Sequence, residues 1–222
     1  MENLFFWLTL VLMVVDWVAT RNCWRRACWF AKPAPMITLI AWFTLAGEWD
    51  GPLAVVGLGL VFSLLGDVLL ILPARFFLAG MAAFLVTQLA YIVGFNHLPM
   101  EFRWEILLPV GAAAGAFAFL MGRVRAGLRR RKESGLLIPI GVYAVVLSLM
   151  MLSALATLFR PGWEPETALV VSLGGVLFFL SDATLAYHQF VARVPRGDLL
   201  VMVTYHLAQL FIAGGMLEQF AF

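Results

Sequence analysis

Three aspartates and one histidine stand inside runs that are otherwise free of charge: Asp16, Asp67, Asp182 and His206. An ionisable side chain in an apolar run is costly to bury, so it is read first as functional. Asp16, Asp67 and Asp182 lie in the runs 3–20, 52–72 and 167–187, each about four to six residues before the end, roughly 6–9 Å deep at a helical rise. His206 lies about seven residues into the run 199–217, counted from the same side. Helix C-termini, apolar neighbours and a second carboxylate all disfavour ionisation. Asp67 and Asp182 are therefore expected to share one proton near neutral pH, leaving one acid and one base. The runs between them start at that same side, where spare N–H groups suit an anion. Lys32-Pro33 opens one of them, with proline where a helix start tolerates it. Lys32, Arg75, Arg193 and Arg196 surround the same mouth. A phosphate above an acid–base pair fits a phospholipid-sized amphiphile.

Each of these residues also has a plainer role open to it. Asp16 reads first as an interfacial partner of Lys32 or an arginine. Asp67 and Asp182 could be structural hydrogen-bonders or an ion-coupling site, and His206 a satisfied core histidine. Tyr143, Tyr205, Gln88 and Gln209 either line the cavity or bridge helices. His97 falls at the opposite side, which excludes a three-histidine metal centre, and no metal ligand set is expected. Cys23 and Cys28 form a lone C-x4-C pair in a basic loop, a weak metal signal and no expected disulfide.

Composition dictates what positions these side chains. Hydrophobic residues are 63% and charged residues 13% of the 222, with a mean hydropathy of +0.95. A soluble domain is about half apolar and a quarter charged. The expected fold is an all-α integral membrane domain over 1–222, with eight spans at 3–20, 34–47, 52–72, 76–95, 105–122, 136–159, 167–187 and 199–217. These leave no room for a soluble catalytic or nucleic-acid-binding domain. Of the 15 basic residues, 13 fall in the loops after spans one, three, five and seven. Those loops are expected to be cytoplasmic and both termini non-cytoplasmic, which puts the polar layer toward the cytoplasmic leaflet. In a bacterium the membrane would be the plasma (inner) membrane. The basic run 123–132 reads as a topogenic loop rather than a lipid-headgroup site. The first span has neither a positive leader nor a small-residue cleavage site and is expected to remain as a helix.

The sequence also repeats weakly. Leu58, Gly59, Val61, Leu65, Asp67 and Leu70 match Leu173, Gly174, Val176, Leu180, Asp182 and Leu185 at a constant offset. Gly80, Val86 and Thr87 then match Gly197, Val203 and Thr204, with two residues added between. The pattern predicts two parallel four-helix halves, 1–100 and 105–222, with Asp67 and Asp182 as symmetry mates.

Taken together, Lys32-Pro33, Leu65-Gly66-Asp67, Tyr143 with Met150-Met151, Leu180-Ser181-Asp182 and Thr204-Tyr205-x-Leu207-Ala208-Gln209 resemble the lysoplasmalogenase (YhhN-like) family. The resemblance implies hydrolysis of the vinyl ether bond of lysoplasmalogens to a fatty aldehyde and glycerophosphoethanolamine or glycerophosphocholine. It places the family's two motif aspartates on Asp67 and Asp182, and implies no metal or organic cofactor. Lys32, Tyr143, Tyr205, His206, Gln209 and Gln88 would then bind the lysophospholipid. Gln88 departs from the family, whose members often carry histidine there. Two other classes fit parts of the pattern: a transporter or proton-coupled lipid carrier, and a metal-dependent lipid hydrolase using His188 or His206. The oligomeric state is not set by the sequence.

Overall fold

The computed structural model describes residues 2–22, 24, 29–99 and 103–221. Cys23, Cys28, Arg25, Arg26 and Glu101 lie outside the described residues. The eight expected spans are eight helices: α1 (Glu2–Arg21), α2 (Pro33–Ala46), α3 (Gly51–Ile71), α4 (Phe77–Phe95), α5 (Leu107–Arg131), α6 (Leu137–Ala156), α7 (Pro165–Phe190) and α8 (Gly197–Phe220). Seven are long and apolar enough to cross a membrane. The exception is α2, whose 14 residues rise only about 21 Å, less than the roughly 30 Å hydrocarbon core. The protein is thus a multi-pass, all-α membrane protein. Helices satisfy every backbone group within the span, as a lipid solvent requires.

Local chemistry sets the helix starts and stops. Asp50 caps α3 by accepting from the Gly51 N–H at 2.8 Å, and Pro52 follows in the first turn. Proline also opens α2 and α7. Two helices outrun the expected spans. The fifth continues nine residues past 122, so Arg123 to Arg131 extend a helix instead of forming a loop. Arginine is a good helix former, and cations suit a helix C-terminus. Lys132, at a left-handed φ of 61°, ends it. The seventh runs to Phe190, which brings His188 into its last turn, where Nδ1 accepts from the Val194 N–H at 3.1 Å.

The tightest pairings are α3 with α4 and α7 with α8, and glycine makes both possible. A methyl on Gly59 would stand 2.5 Å from the Tyr91 ring, and one on Gly174 would stand 3.0 Å from the Ile212 backbone nitrogen. Between the two pairs lies an edge-to-face cluster of Phe84, Tyr91, Phe178 and Tyr205. On the flank α1 packs against α2 and α8, with the Thr9 and Thr38 hydroxyls 2.9 Å apart. The peripheral helix is α5, which leans on α6 and α7 through a second apolar cluster of Leu120, Val124, Leu128, Ile140 and Phe190. One end of the bundle gathers Lys32, Ala74, Glu133, Phe190 and Asp198 around a single cavity mouth. This is the basic end, and the site opens there.

Candidate active site

Asp67 and Asp182 line one chamber, with a cavity volume of about 620 Å³, that opens at the basic end. Asp67 sits in α3 and is 8% exposed. Its Oδ2 accepts from the Tyr205 hydroxyl of α8 at 2.8 Å. Asp182 sits in α7, and its Oδ2 accepts from both the Tyr143 hydroxyl at 2.5 Å and Gln88 Nε2 at 3.2 Å. With both donors on Oδ2, Oδ1 is the oxygen of Asp182 left to carry a proton. The cross-chain pattern is regular. The offset that matches Thr87 with Thr204 also matches Gln88 with Tyr205. The bonds follow that match: Tyr205 of α8 reaches Asp67, and Gln88 of α4 reaches Asp182.

A second hydrogen-bonded network lies behind the chamber. Tyr91, three residues after Gln88 on α4, donates to Gln209 Oε1 at 2.5 Å, and Gln209 Nε2 donates to Ser63 Oγ at 2.7 Å. Ser63 in turn reaches the Thr87 hydroxyl at 3.2 Å, and Thr87 bonds the Gly59 carbonyl at 3.0 Å. Gln209 thus ties α3, α4 and α8 together behind the chamber. Lys32 stands on the chamber wall, and its charge reaches Asp16, Asp67 and His206.

His206 is turned away from the chamber. It is fully buried between α8 and α1, and Nδ1 accepts from the Trp17 indole N–H at 3.0 Å. That bond leaves the proton of a neutral imidazole on Nε2. Asp16 is also fully buried on α1 and is not among the residues that line the chamber. Among the described residues no three His, Cys, Asp or Glu side chains stand together as a metal site. Sequence reasoning missed Tyr91, Ser63, and the mouth carboxylates Glu133 and Asp198. The helical spacing of Gln88 and Tyr91 carried a signal for the first, since residues three apart share a face.

Beside the chamber is a second void of opposite character. It lies among α4, α5, α6 and α7, is narrow, with a cavity volume of about 50 Å³, and is lined by Met81, Leu120, Val124, Ile140 and Leu147 among others. Asp182 belongs to the walls of both voids.

The fold and site define a class: a polytopic helical membrane protein with two carboxylates from different helices converging in one buried chamber. The family follows from the sequence. The YhhN family model matches residues 27–216, and the chain belongs to that family. It is 31% identical over 187 residues to lysoplasmalogenase TMEM86B of Homo sapiens, covering 83% of this chain and 74% of the relative. Lysoplasmalogenase TMEM86A of Bos taurus is 33% identical over 72% of this chain and 64% of its own length. TMEM86B of Sus scrofa is 28% identical over 94% and 83%. No solved structure matches the chain.

Proposed function

We propose that this protein hydrolyses the vinyl ether bond of a lysoplasmalogen, releasing a fatty aldehyde and glycerophosphoethanolamine or glycerophosphocholine. The reading rests on Asp67 and Asp182 lining one chamber, each with a phenol hydroxyl bonded to one oxygen. Relatives named lysoplasmalogenase support the substrate class. The protonated aspartate transfers its proton to the β-carbon of the vinyl ether, forming a C–H bond and an oxocarbenium ion at the α-carbon. The ionised aspartate faces that cation and takes a proton from the water that attacks it. The resulting hemiacetal collapses to aldehyde and alcohol, so one water is consumed per bond broken. The demands parallel those on the carboxylate pair of a glycoside hydrolase. Lys32 at the mouth would meet the phosphate.

In this reading residues 1–222 form one membrane domain, with halves 1–100 and 105–222 contributing one aspartate each. The basic end faces the cytoplasm, so the lyso-lipid enters from that leaflet. Purified protein is expected to release aldehyde from lysoplasmalogen and nothing from the saturated alkyl-ether analogue, which cannot form the oxocarbenium ion by protonation. Asp67→Asn and Asp182→Asn should each lower aldehyde release by about a hundredfold or more with the helical circular dichroism unchanged. Full activity in either variant would sink the assignment.

A further inference from the structure

We infer that the apolar void among α4, α5, α6 and α7 is the seat of the substrate's single hydrocarbon chain, so that the bond at the root of that chain lies against Asp182. The identity of that bond rests on the hydrolase reading above; the fit of the chain does not. Three observations carry it.

The first is a change of polarity across a wall that the two voids share, in which Asp182 is the one ionisable member beside Gln189 and five apolar residues. On the chamber side Asp182 shares its walls with Lys32, Asp67, Glu133 and Asp198. On the other side the wall is aliphatic and aromatic, with Tyr143, Asp182 and Gln189 its polar members. A lyso-lipid changes character at one place only, where the glycerol oxygen meets the chain, and a lysoplasmalogen carries its vinyl ether there. An amphiphile laid across both voids brings that bond to their shared wall.

The second is the size and direction of the void. Its α6 wall runs from Ile140 to Leu147, about 10 Å of helical rise. It therefore holds the first part of a chain, and the remainder must leave sideways. The peripheral position of α5 provides the exit. Its backbone packs close to α6 and α7 but not to α4, and the seam with α4 is closed by side chains alone, the half-buried Phe77, Met81 and Met121. A chain leaving between α4 and α5 enters bilayer hydrocarbon directly.

The third is what keeps the void open. Ala144 on α6 and Ala186 on α7 line it and do not line the chamber. A large side chain at either position would occupy the space that the chain needs without touching the headgroup side.

The test is binding of saturated alkyl-ether lysophospholipids of graded chain length, short enough to stay monomeric, to the purified full-length protein. For the wild type, affinity is expected to rise by about fourfold per added methylene over the shorter members. Ala144→Phe should flatten that dependence and weaken the longer members at least tenfold, with circular dichroism and monodispersity in detergent as fold controls. Should Ala144→Phe fail to fold, Ala144→Leu is read the same way, with a smaller flattening expected. Chain-length dependence identical in variant and wild type overturns the proposal. So does a wild type with no dependence, the behaviour of a crevice filled by bilayer lipid only. Failure of the hydrolase reading looks different: chain-length-dependent binding of the alkyl ethers persists while lysoplasmalogen yields no aldehyde.

Discussion

Tyr143 and Tyr205 each commit a hydroxyl to one carboxylate oxygen, which decides where the protons of the pair can sit. A hydrogen bond to a charged group contributes about 1.5–3 kcal/mol. Tyr143→Phe is therefore expected to lower aldehyde release by about tenfold or more, since it removes the 2.5 Å bond to Asp182. Tyr205→Phe should act in the same direction through Asp67. Unchanged rates in both would mean that the phenols only fill space. The aspartates were legible in the sequence because a charge in an apolar run needs a reason, and their depth follows from counting residues to the helix ends. Their partners were not legible as partners. Tyr205 reaches Asp67 across 138 residues and Gln88 reaches Asp182 across 94, and one sequence gives a residue's height on a helix far better than its azimuth. His206 illustrates this. Its height matches the aspartates, but its ring faces Trp17 on α1.

At the scale of elements, seven of the eight helices were readable because a spanning segment must be about 20 apolar residues long, and the short α2 because Lys32-Pro33 marks its start. The ends of α5 and α7 were less so. A run of arginines reads equally as a loop or as the last turns of a helix, and contact with the rest of the fold decides. Here the deciding contact is Gly127, where an added methyl would collide with the Phe190 carbonyl oxygen at the end of α7. Backbone cannot yield as a flexible side chain can. Gly127→Ala is thus expected to destabilise the protein by about 1–3 kcal/mol by prising α5 from α7. Gly115 on the same helix has nothing within 4 Å of such a methyl, so Gly115→Ala should hold or slightly raise stability, since alanine is the better helix former. Thermal unfolding in detergent compares the two. Equal midpoints would show that α5 is not held at Gly127.

For the whole molecule, charge and cavity point to the same end. The chamber mouth gathers the starts of α2, α4, α6 and α8 with the ends of α3 and α7, and 13 of the 15 basic residues fall at that side of the sequence pattern, in connections or in the last turns of helices. The two facts have different origins. The basic bias acts during insertion and sets orientation, whereas the mouth results from where the helices splay in the finished bundle. Together they support the proposed entry of an amphiphile from the cytoplasmic leaflet. On the proposed reading, a lyso-lipid arriving there meets Lys32 and the mouth with its headgroup, while its chain stays within the hydrocarbon layer. The orientation can be tested apart from the chemistry. In a bacterial host, a reporter fused after the last residue that is active only outside the cytoplasm should be active. Replacing Arg125, Arg129, Arg130 and Arg131 by glutamine should produce a mixture of orientations, because it removes the densest part of the basic bias. An inactive reporter on the unaltered chain, with a cytoplasmic reporter at the same position active, would reverse the assignment and open the chamber to the opposite leaflet.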